Sequence, residues 1–368
     1  MKILITMGLA DRSLDNFITP ITKIGNIDEI LIVRDTEGPK INKVRYITPP
    51  KWSIQFPILK TVFKFLILLR TACYEKPYLI HGFLLFPYGI MSYIVGKIMR
   101  KKIGISLIAG PVELYMPRGG SPIGKYTYSK QLPKIVGINK LLLYAIKTSN
   151  FVTVTGNFTK KFLEKNGVDK NNIFILPHVV DDRFKAIKSE KIYDLVYIGR
   201  LAKVKHVEVI LKSIKILIHK IPNIKVAIVG NGPEEEYLKS LSNDLGLNNN
   251  VIFKGYQSDV WNWYNCAKIS ILASEREGFP YSVIESLSCG VPVITSNFGD
   301  VTDVVKNKYN GIIIKHHCEA QQFAIAIDEL LNSPQKLEEY GVNALESIKN
   351  QDNKKIITIW NSILQKLK

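Results

Sequence analysis

The chain is 368 residues long, a length that suits two domains each burying its own core and excludes a small stapled module. Hydrophobic residues at 46% and charged residues at 22% exclude wholesale disorder and collagen-like repeats. The net charge of +18 is concentrated: residues 51–150 hold fifteen basic side chains against Glu75 and Glu113 alone, a local +13, whereas residues 251–350 stand at −4. Such asymmetry is expected of a polyanionic partner, nucleic acid or an anionic membrane face, or else of a lysine-rich solvated surface.

At the N-terminus, Lys2 is followed only by the short apolar run Ile3–Thr6 and then by Asp11 and Arg12, so no signal peptide is read and a cytoplasmic protein is expected. The cysteines agree: Cys73, Cys266, Cys289 and Cys318 are scattered, with no Cys-x-x-Cys pair and no histidine at ligand spacing, which points to a reducing compartment and away from structural zinc. Ile3–Thr6 opens a series of apolar runs continued by Ile30–Val33, Tyr78–His81, Ile103–Ile108, Phe151–Thr155 and Ile173–Leu176. Amphipathic stretches separate them, the rhythm of a parallel sheet covered on both faces.

Within this first half, Lys51–Arg70 mixes aromatic and aliphatic bulk with spaced cations. It fits either an interfacial helix on anionic lipid or a helix packed on the sheet with solvated lysines. The uncharged run of twenty residues Pro77–Gly96 is long enough to cross a bilayer, but His81, Gly82, Pro87 and Gly89 make it a buried strand, a turn and the start of a helix. Residues 119–126, after Arg118, read as a basic loop able to cover an acceptor.

A second series runs Asp194–Ile198, Lys225–Val229, Val251–Phe253, Ile269–Leu272, Pro292–Thr295 and Gly311–Ile314. After Gly199, Val207, Ile210, Leu211, Ile214, Leu217 and Ile218 fall on one helical face. The charged stretch 181–191 marks the boundary, giving domains 1–185 and 186–350. Residues 351–368 form a final amphipathic helix with Ile356, Ile357, Trp360, Ile363 and Leu364 on its apolar side. The expected fold class is α/β, with two doubly wound domains.

Ligands of open α/β sheets bind beyond the carboxyl ends of the strands. After Ile198, the segment Gly199-Arg200-Leu201-Ala202-Lys203-Val204-Lys205 places two cations at a helix N-terminus, where the dipole is already positive. They should repel unless an anion sits between them, and a diphosphate would fit. After Leu272, Glu277 and Gly278 precede a helix containing Glu285 and Cys289. The two glutamates lie eight residues apart, two turns of helix, and are expected to line one wall and accept hydrogen bonds from sugar or ribose hydroxyl pairs.

These residues carry a resemblance. Glu277-Gly278-Phe279-Pro280 to Glu285, continuing through Cys289-Gly290-Val291-Pro292, is similar to the signature of glycosyltransferase family 4. Gly199-Arg200-Leu201 with Lys205, Gly230-Asn231-Gly232-Pro233 and Val251 to Gly255 before Trp263-Tyr264 match in order, and Pro177, Asp181 and Phe184 extend the likeness into the linker. The resemblance implies a GT-B fold: two Rossmann-like domains facing across a cleft, with the C-terminal helix crossing back to the first. It implies that Arg200 and Lys205 hold the donor diphosphate and that Glu285 binds the ribose. Glu277, Gly278, Phe279 and Pro280 would hold the donor sugar, and Gly199, Gly255 and Tyr256 would line the nucleotide site. No metal or cofactor is expected, because the two cations and helix dipoles can stabilise the leaving diphosphate and no Asp-x-Asp lies between short apolar runs.

The first half departs from the family. Its loop Met7–Arg12 offers Gly8 alone, a donor-binding candidate, where two glycines are common, with Leu9 beside it, and the family's histidine is absent near Ala109-Gly110-Pro111-Val112-Glu113. Glu113, Arg12 and His81 are therefore candidates for sugar or acceptor contact, although a lone histidine in apolar company is more often a core residue. His178 is assigned to the linker and the pair His316-His317 to the surface.

The expected function is transfer of a sugar, with retained anomeric configuration, from a nucleotide-diphosphate sugar to a lipid-linked or polysaccharide acceptor in cell-envelope glycan synthesis. The protein would work at the inner membrane face, docked through residues 51–150. A catalytically silent scaffold that binds a nucleotide sugar or an anionic surface is the alternative. Nucleic acid is not an expected partner, because the basic stretch contains no reading module.

Overall fold

The computed structural model describes residues 1–9, 11–115, 137–176, 179–278, 281–349 and 351–368, without the side chains of Arg12, Ser13 and Asp15. It divides into two compact units. One takes the N-terminal part of the chain to Val179 together with Gln351–Lys368, and the other begins at Val180 and ends at Asn350.

The first unit is built on β1 (Lys2–Thr6), β2 (Glu29–Val33), β3 (Val44–Ile47), β4 (Leu79–Phe83), β5 (Lys102–Leu107), β6 (Phe151–Val154) and β7 (Ile173–Ile175). All pairings are parallel, in the order β3-β2-β1-β4-β5-β6-β7. The chain winds one way from β1 to β3 and the other way from β4 to β7, so the topological switch lies between β1 and β4. Strands such as Ile30–Val33 are buried on both faces, which is why they read as unbroken apolar runs. The edge strand β3 does not: its sequence Val-Arg-Tyr-Ile is half-exposed, and Arg45 reaches out to Glu29 at 2.8 Å.

The stretch Lys51–Arg70 resolves into a short turn and the helix Pro57–Glu75, started by a proline at its first position. It packs on the sheet, as one of the two expectations had it. Lys64, Leu68, Thr71 and Ala72 are buried against the sheet, while Trp52, Phe56, Ile58, Val62 and Leu66 are exposed, Ile58 at 80%. No helix among the described residues is long and apolar enough to cross a membrane. The C-terminal helix Asn353–Leu367 is capped by Asp352, whose side chain accepts from the Lys355 N–H at 2.9 Å. It belongs to the first unit. Trp360 is buried edge-on against His81 and Phe151, with centroids 5.4 and 5.8 Å away, and the Tyr78 hydroxyl donates to the Leu367 carbonyl at 2.7 Å.

The second unit holds β8 (Tyr193–Ile198), β9 (Val226–Val229), β10 (Val251–Phe253), β11 (Ala267–Leu272), β12 (Val293–Ser296) and β13 (Gly311–Ile314), parallel in the order β10-β9-β8-β11-β12-β13. Its switch point lies between β8 and β11, so the loops after these two strands stand side by side at the carboxyl edge of the sheet.

Candidate active site

The loop after β8 is shaped by glycines on neighbouring strands. Gly230, directly after β9, has φ of +134°, and a Cβ built there would lie 1.9 Å from the Gly199 carbonyl oxygen. A Cβ on Gly232 would lie 2.2 Å from the Leu201 carbonyl oxygen. This close approach lets the Leu201 N–H donate to the Asn231 carbonyl at 2.8 Å, while the Gly230 N–H donates to the Gly255 carbonyl at 2.8 Å. Arg200 therefore sits on a backbone held from both sides. Its side chain is exposed and forms no ion pair or hydrogen bond among the described residues. Gly255 adopts φ of +63° at the end of β10, and Tyr256 beside it is 72% exposed.

Lys205 closes a short helical turn, Lys203–Lys205, before the helix Val207–Leu217. Its ammonium lies 2.7 Å from Glu277 Oε1, and the Ser274 hydroxyl donates to the same oxygen at 2.6 Å. Thus part of the negative charge expected at this helix start is supplied by the protein itself. Ser274 is held in turn, because its carbonyl accepts from the Ser296 hydroxyl at 2.6 Å. The loop after β12 supports the other side: the Asp300 N–H donates to the Gly278 carbonyl at 3.1 Å, and Gly299, at φ of +44°, would press a Cβ to 2.2 Å from the Glu277 carbonyl.

Glu277 and Glu285 do not share a helix. The helix runs only Tyr281–Ser288, so Glu277 belongs to the preceding loop, and the expected two-turn wall is replaced by a loop carboxylate and a helix carboxylate. Glu285 is 4% exposed and accepts from the Tyr264 hydroxyl at 3.3 Å. Burial, with the Glu285 charge next in weight, pushes the Cys289 thiol up to about 12, so this cysteine is a packed side chain and not a nucleophile. Phe279, Pro280, His178 and residues 118–126 lie outside the described residues.

In the first unit, the loop after β1 meets the turn after β4. A Cβ on Gly8 would lie 2.1 Å from the Tyr88 hydroxyl oxygen, so the single glycine makes room for a tyrosine. That hydroxyl accepts from Lys64 Nζ at 3.2 Å, and Lys64, 1% exposed, is neutralised by Asp35 Oδ1 at 2.7 Å. Arg12 lies in the helix Asp11–Thr22, with its side chain outside the description.

Two first-unit candidates are corrected. His81 is completely buried in β4, its Nε2 2.7 Å from the Ser106 hydroxyl and its ring stacked on Phe151 at 5.3 Å; burial pushes its pKa down to about 3. It is a neutral core residue. Glu113 is 4% exposed, and its two carboxyl oxygens accept from the backbone N–H groups of Leu85 at 2.6 Å and Ala109 at 2.5 Å. Burial raises its pKa to about 7 against those hydrogen bonds. It ties together the loops after β4 and β5.

Sequence reasoning missed Ser274, Ser296, Gly299 and Asp300, which carry no chemical pattern of their own. It also missed the surroundings of His206: His317, assigned to the surface, packs its ring 4.3 Å from that of His206. Among the described residues no three histidine, cysteine or acidic side chains are grouped as a metal site.

Residues 180–347 match the family described as glycosyl transferases group 1. The chain is 25% identical over 329 residues to the capsular polysaccharide biosynthesis glycosyltransferase CapM of Staphylococcus aureus, an alignment covering 88% of this chain and 84% of CapM. It is 28% identical over 204 residues to the poly(glycerol-phosphate) alpha-glucosyltransferase of Bacillus subtilis (strain 168), covering 54% of this chain but only 30% of that relative. Among solved structures, Anabaena Alr3699/HepE in complex with UDP superimposes with a TM-score of 0.77 at 17% identity, over 99% of this chain and 100% of that one, a likeness of fold. With its two parallel-sheet units, the fold is GT-B.

Proposed function

We propose that the chain is a glycosyltransferase of the group 1 type, the family matched over residues 180–347, and that it transfers a sugar from a UDP-sugar to a lipid-linked or polysaccharide acceptor of the cell envelope, with retention at the anomeric carbon. What carries this reading is the juxtaposition at the switch point of the second sheet: on one loop an exposed Arg200 with no ion pair or hydrogen bond among the described residues, and Lys205 paired to Glu277 across to the other. A departing nucleoside diphosphate develops negative charge, and fixed cations aimed there lower its energy in the transition state more than in the ground state. Arg200 and Lys205 supply that charge without a metal ion. Glu277 releases Lys205 to the diphosphate and turns to the donor sugar, while Glu285 takes the ribose hydroxyls. UDP is favoured over other nucleotides by the neighbour solved with UDP and with UDP-glucose, and a surface glycan by the capsular relative.

A panel of UDP-, GDP- and ADP-sugars, read by thermal shift and donor hydrolysis, tests this. A UDP-sugar should stabilise the protein, and Arg200→Ala, whose side chain forms no ion pair or hydrogen bond among the described residues, should abolish the shift. No shift with any donor, from folded protein, would favour the silent scaffold.

The first unit would then recognise the acceptor on the cytoplasmic membrane face. The surplus of +13 over residues 51–150 lies in the same stretch as exposed Trp52, Phe56, Ile58, Val62 and Leu66, the pairing of apolar and cationic side chains that anionic lipid binds. Vesicles rich in anionic phospholipid should co-sediment with the protein, neutral vesicles much less, and added salt should weaken the association. The double variant Ile58→Asp/Leu66→Asp, changed only at exposed positions, should lose most of it. Equal binding to neutral vesicles, or none to either, would remove the membrane from this reading.

A further inference from the structure

His206 closes the turn that carries Lys205, and both its backbone and its ring are unusual. Its φ of 47° lies in the left-handed region, which suits glycine and strains most side chains. Its ring is gripped on three sides. Nδ1 is 2.7 Å from Glu208 Oε1 on the following helix, Nε2 is 3.5 Å from Glu275 Oε2 on the loop after β11, and the His317 ring covers one face. Nε2 is buried without a hydrogen-bond partner, so the Glu275 contact is an ion-pair separation. A neutral imidazole has one N–H and one lone pair; a ring with a carboxylate at each nitrogen is matched only when both nitrogens carry protons. The backbone repeats the connection, because the Glu275 N–H donates to the Val204 carbonyl at 2.9 Å. Val204, Lys205 and His206 are thus stitched in succession to Glu275 and Glu277.

We propose that His206 is a positioning residue of the donor site, an imidazolium that clamps the Lys205 turn to the Glu277 loop and makes diphosphate binding weaken as pH rises. This rests on the donor-site reading above. Burial opposes the charge on the ring, but Glu208 and then Glu275 outweigh it, so its pKa lies above the ordinary 6.5. His317 is shifted the other way, by burial and then by the neighbouring His206 charge. Other charged or titratable groups among the described residues near the cluster include Lys205, the next residue in the chain, His316 beside His317, and Lys212, whose charge acts on Glu208. The sign follows: below its raised pKa the ring is charged and the clamp closed. Above it one N–H is lost, a carboxylate faces a lone pair, and the positive charge next to Lys205 disappears.

The test is UDP affinity by calorimetry across the pH range in which UDP is fully ionised, on the full chain, with ring titration followed by NMR. Wild-type affinity should fall about tenfold as the His206 signal titrates, the loss expected for one charged hydrogen-bonded contact. Glu208→Gln should move that fall to lower pH. His206→Gly, which suits the backbone, and His206→Asn, which also tolerates it, should both bind weakly at all pH values with the fall removed. Wild-type affinity and pH dependence in either His206 variant, or a flat wild-type profile while the ring titrates, would overturn the clamp and leave the donor site standing. Absence of UDP binding by the wild type at every pH would overturn the donor-site reading itself, and the clamp with it.

Discussion

Replacing Lys205 with alanine is expected to cut sugar transfer about a thousandfold while the second unit stays folded, the scale on which a single preorganised partner of developing charge acts. The ammonium lies 2.7 Å from Glu277, at the carboxyl edge of the sheet and outside its apolar core. Without it, Glu277 keeps the Ser274 hydroxyl at 2.6 Å, so no carboxylate is left stranded. Arg200→Ala should be as damaging to turnover and nearly neutral to folding, since the guanidinium has no partner in the described structure. Arg200→Lys should recover only part of the loss, because an ammonium keeps the charge but not the planar fork that engages two phosphate oxygens. Steady-state kcat/KM with urea unfolding of each variant decides the matter. Wild-type turnover in both alanine variants would end the assignment of these cations to the leaving group.

The legibility of this molecule followed burial. Parallel strands covered on both faces are built mainly from apolar residues, so Ile3–Thr6, Ile30–Val33 and Ile269–Leu272 stand out as runs. The strand Val44–Ile47 has one neighbour and a wet side, and its Arg45 is chosen for Glu29 and Glu75, two carboxylates far away in sequence. Nothing local distinguishes such a segment from a loop. The same contrast divides the site. Arg200, Lys205 and Glu277 were readable because a charged group just past an apolar run lies at the carboxyl edge of a parallel sheet wherever the strand is placed. Glu113 and His81 stayed ambiguous because a polar residue in apolar company has two explanations, an exposed functional group or a satisfied buried one. Only the partners, the N–H groups of Leu85 and Ala109 or the Ser106 hydroxyl, separate the two. His206 was invisible for a related reason. A histidine after a lysine says nothing until the sheet order brings Glu275 and His317 around it.

Gly230→Ala should destabilise the second unit by about 3 kcal/mol or more, adding the cost of a backbone region open almost only to glycine to a steric conflict that cannot relax cheaply. The conflict is with main chain: the new methyl carbon would start 1.9 Å from the Gly199 carbonyl oxygen, one residue before Arg200. Gly255→Ala separates the two causes, because its φ of +63° is also left-handed while nothing lies within 4 Å of its Cβ position. It should lose only the conformational part, about 1 kcal/mol. The functional consequence differs in the same way. To fit alanine at Gly230 the Gly199 peptide has to move away from β9, and the Leu201 N–H bond to Asn231, 2.8 Å long, goes with it. Arg200, fixed only through its backbone, is then misaimed. UDP affinity of Gly230→Ala should therefore fall as far as that of Arg200→Ala, at a temperature where the variant is still folded, whereas the smaller strain of Gly255→Ala leaves the Gly199 peptide in place. Equal unfolding midpoints for the two glycine variants would mean that the Gly199 peptide yields freely, and that the loop after β8 does not owe its position to β9.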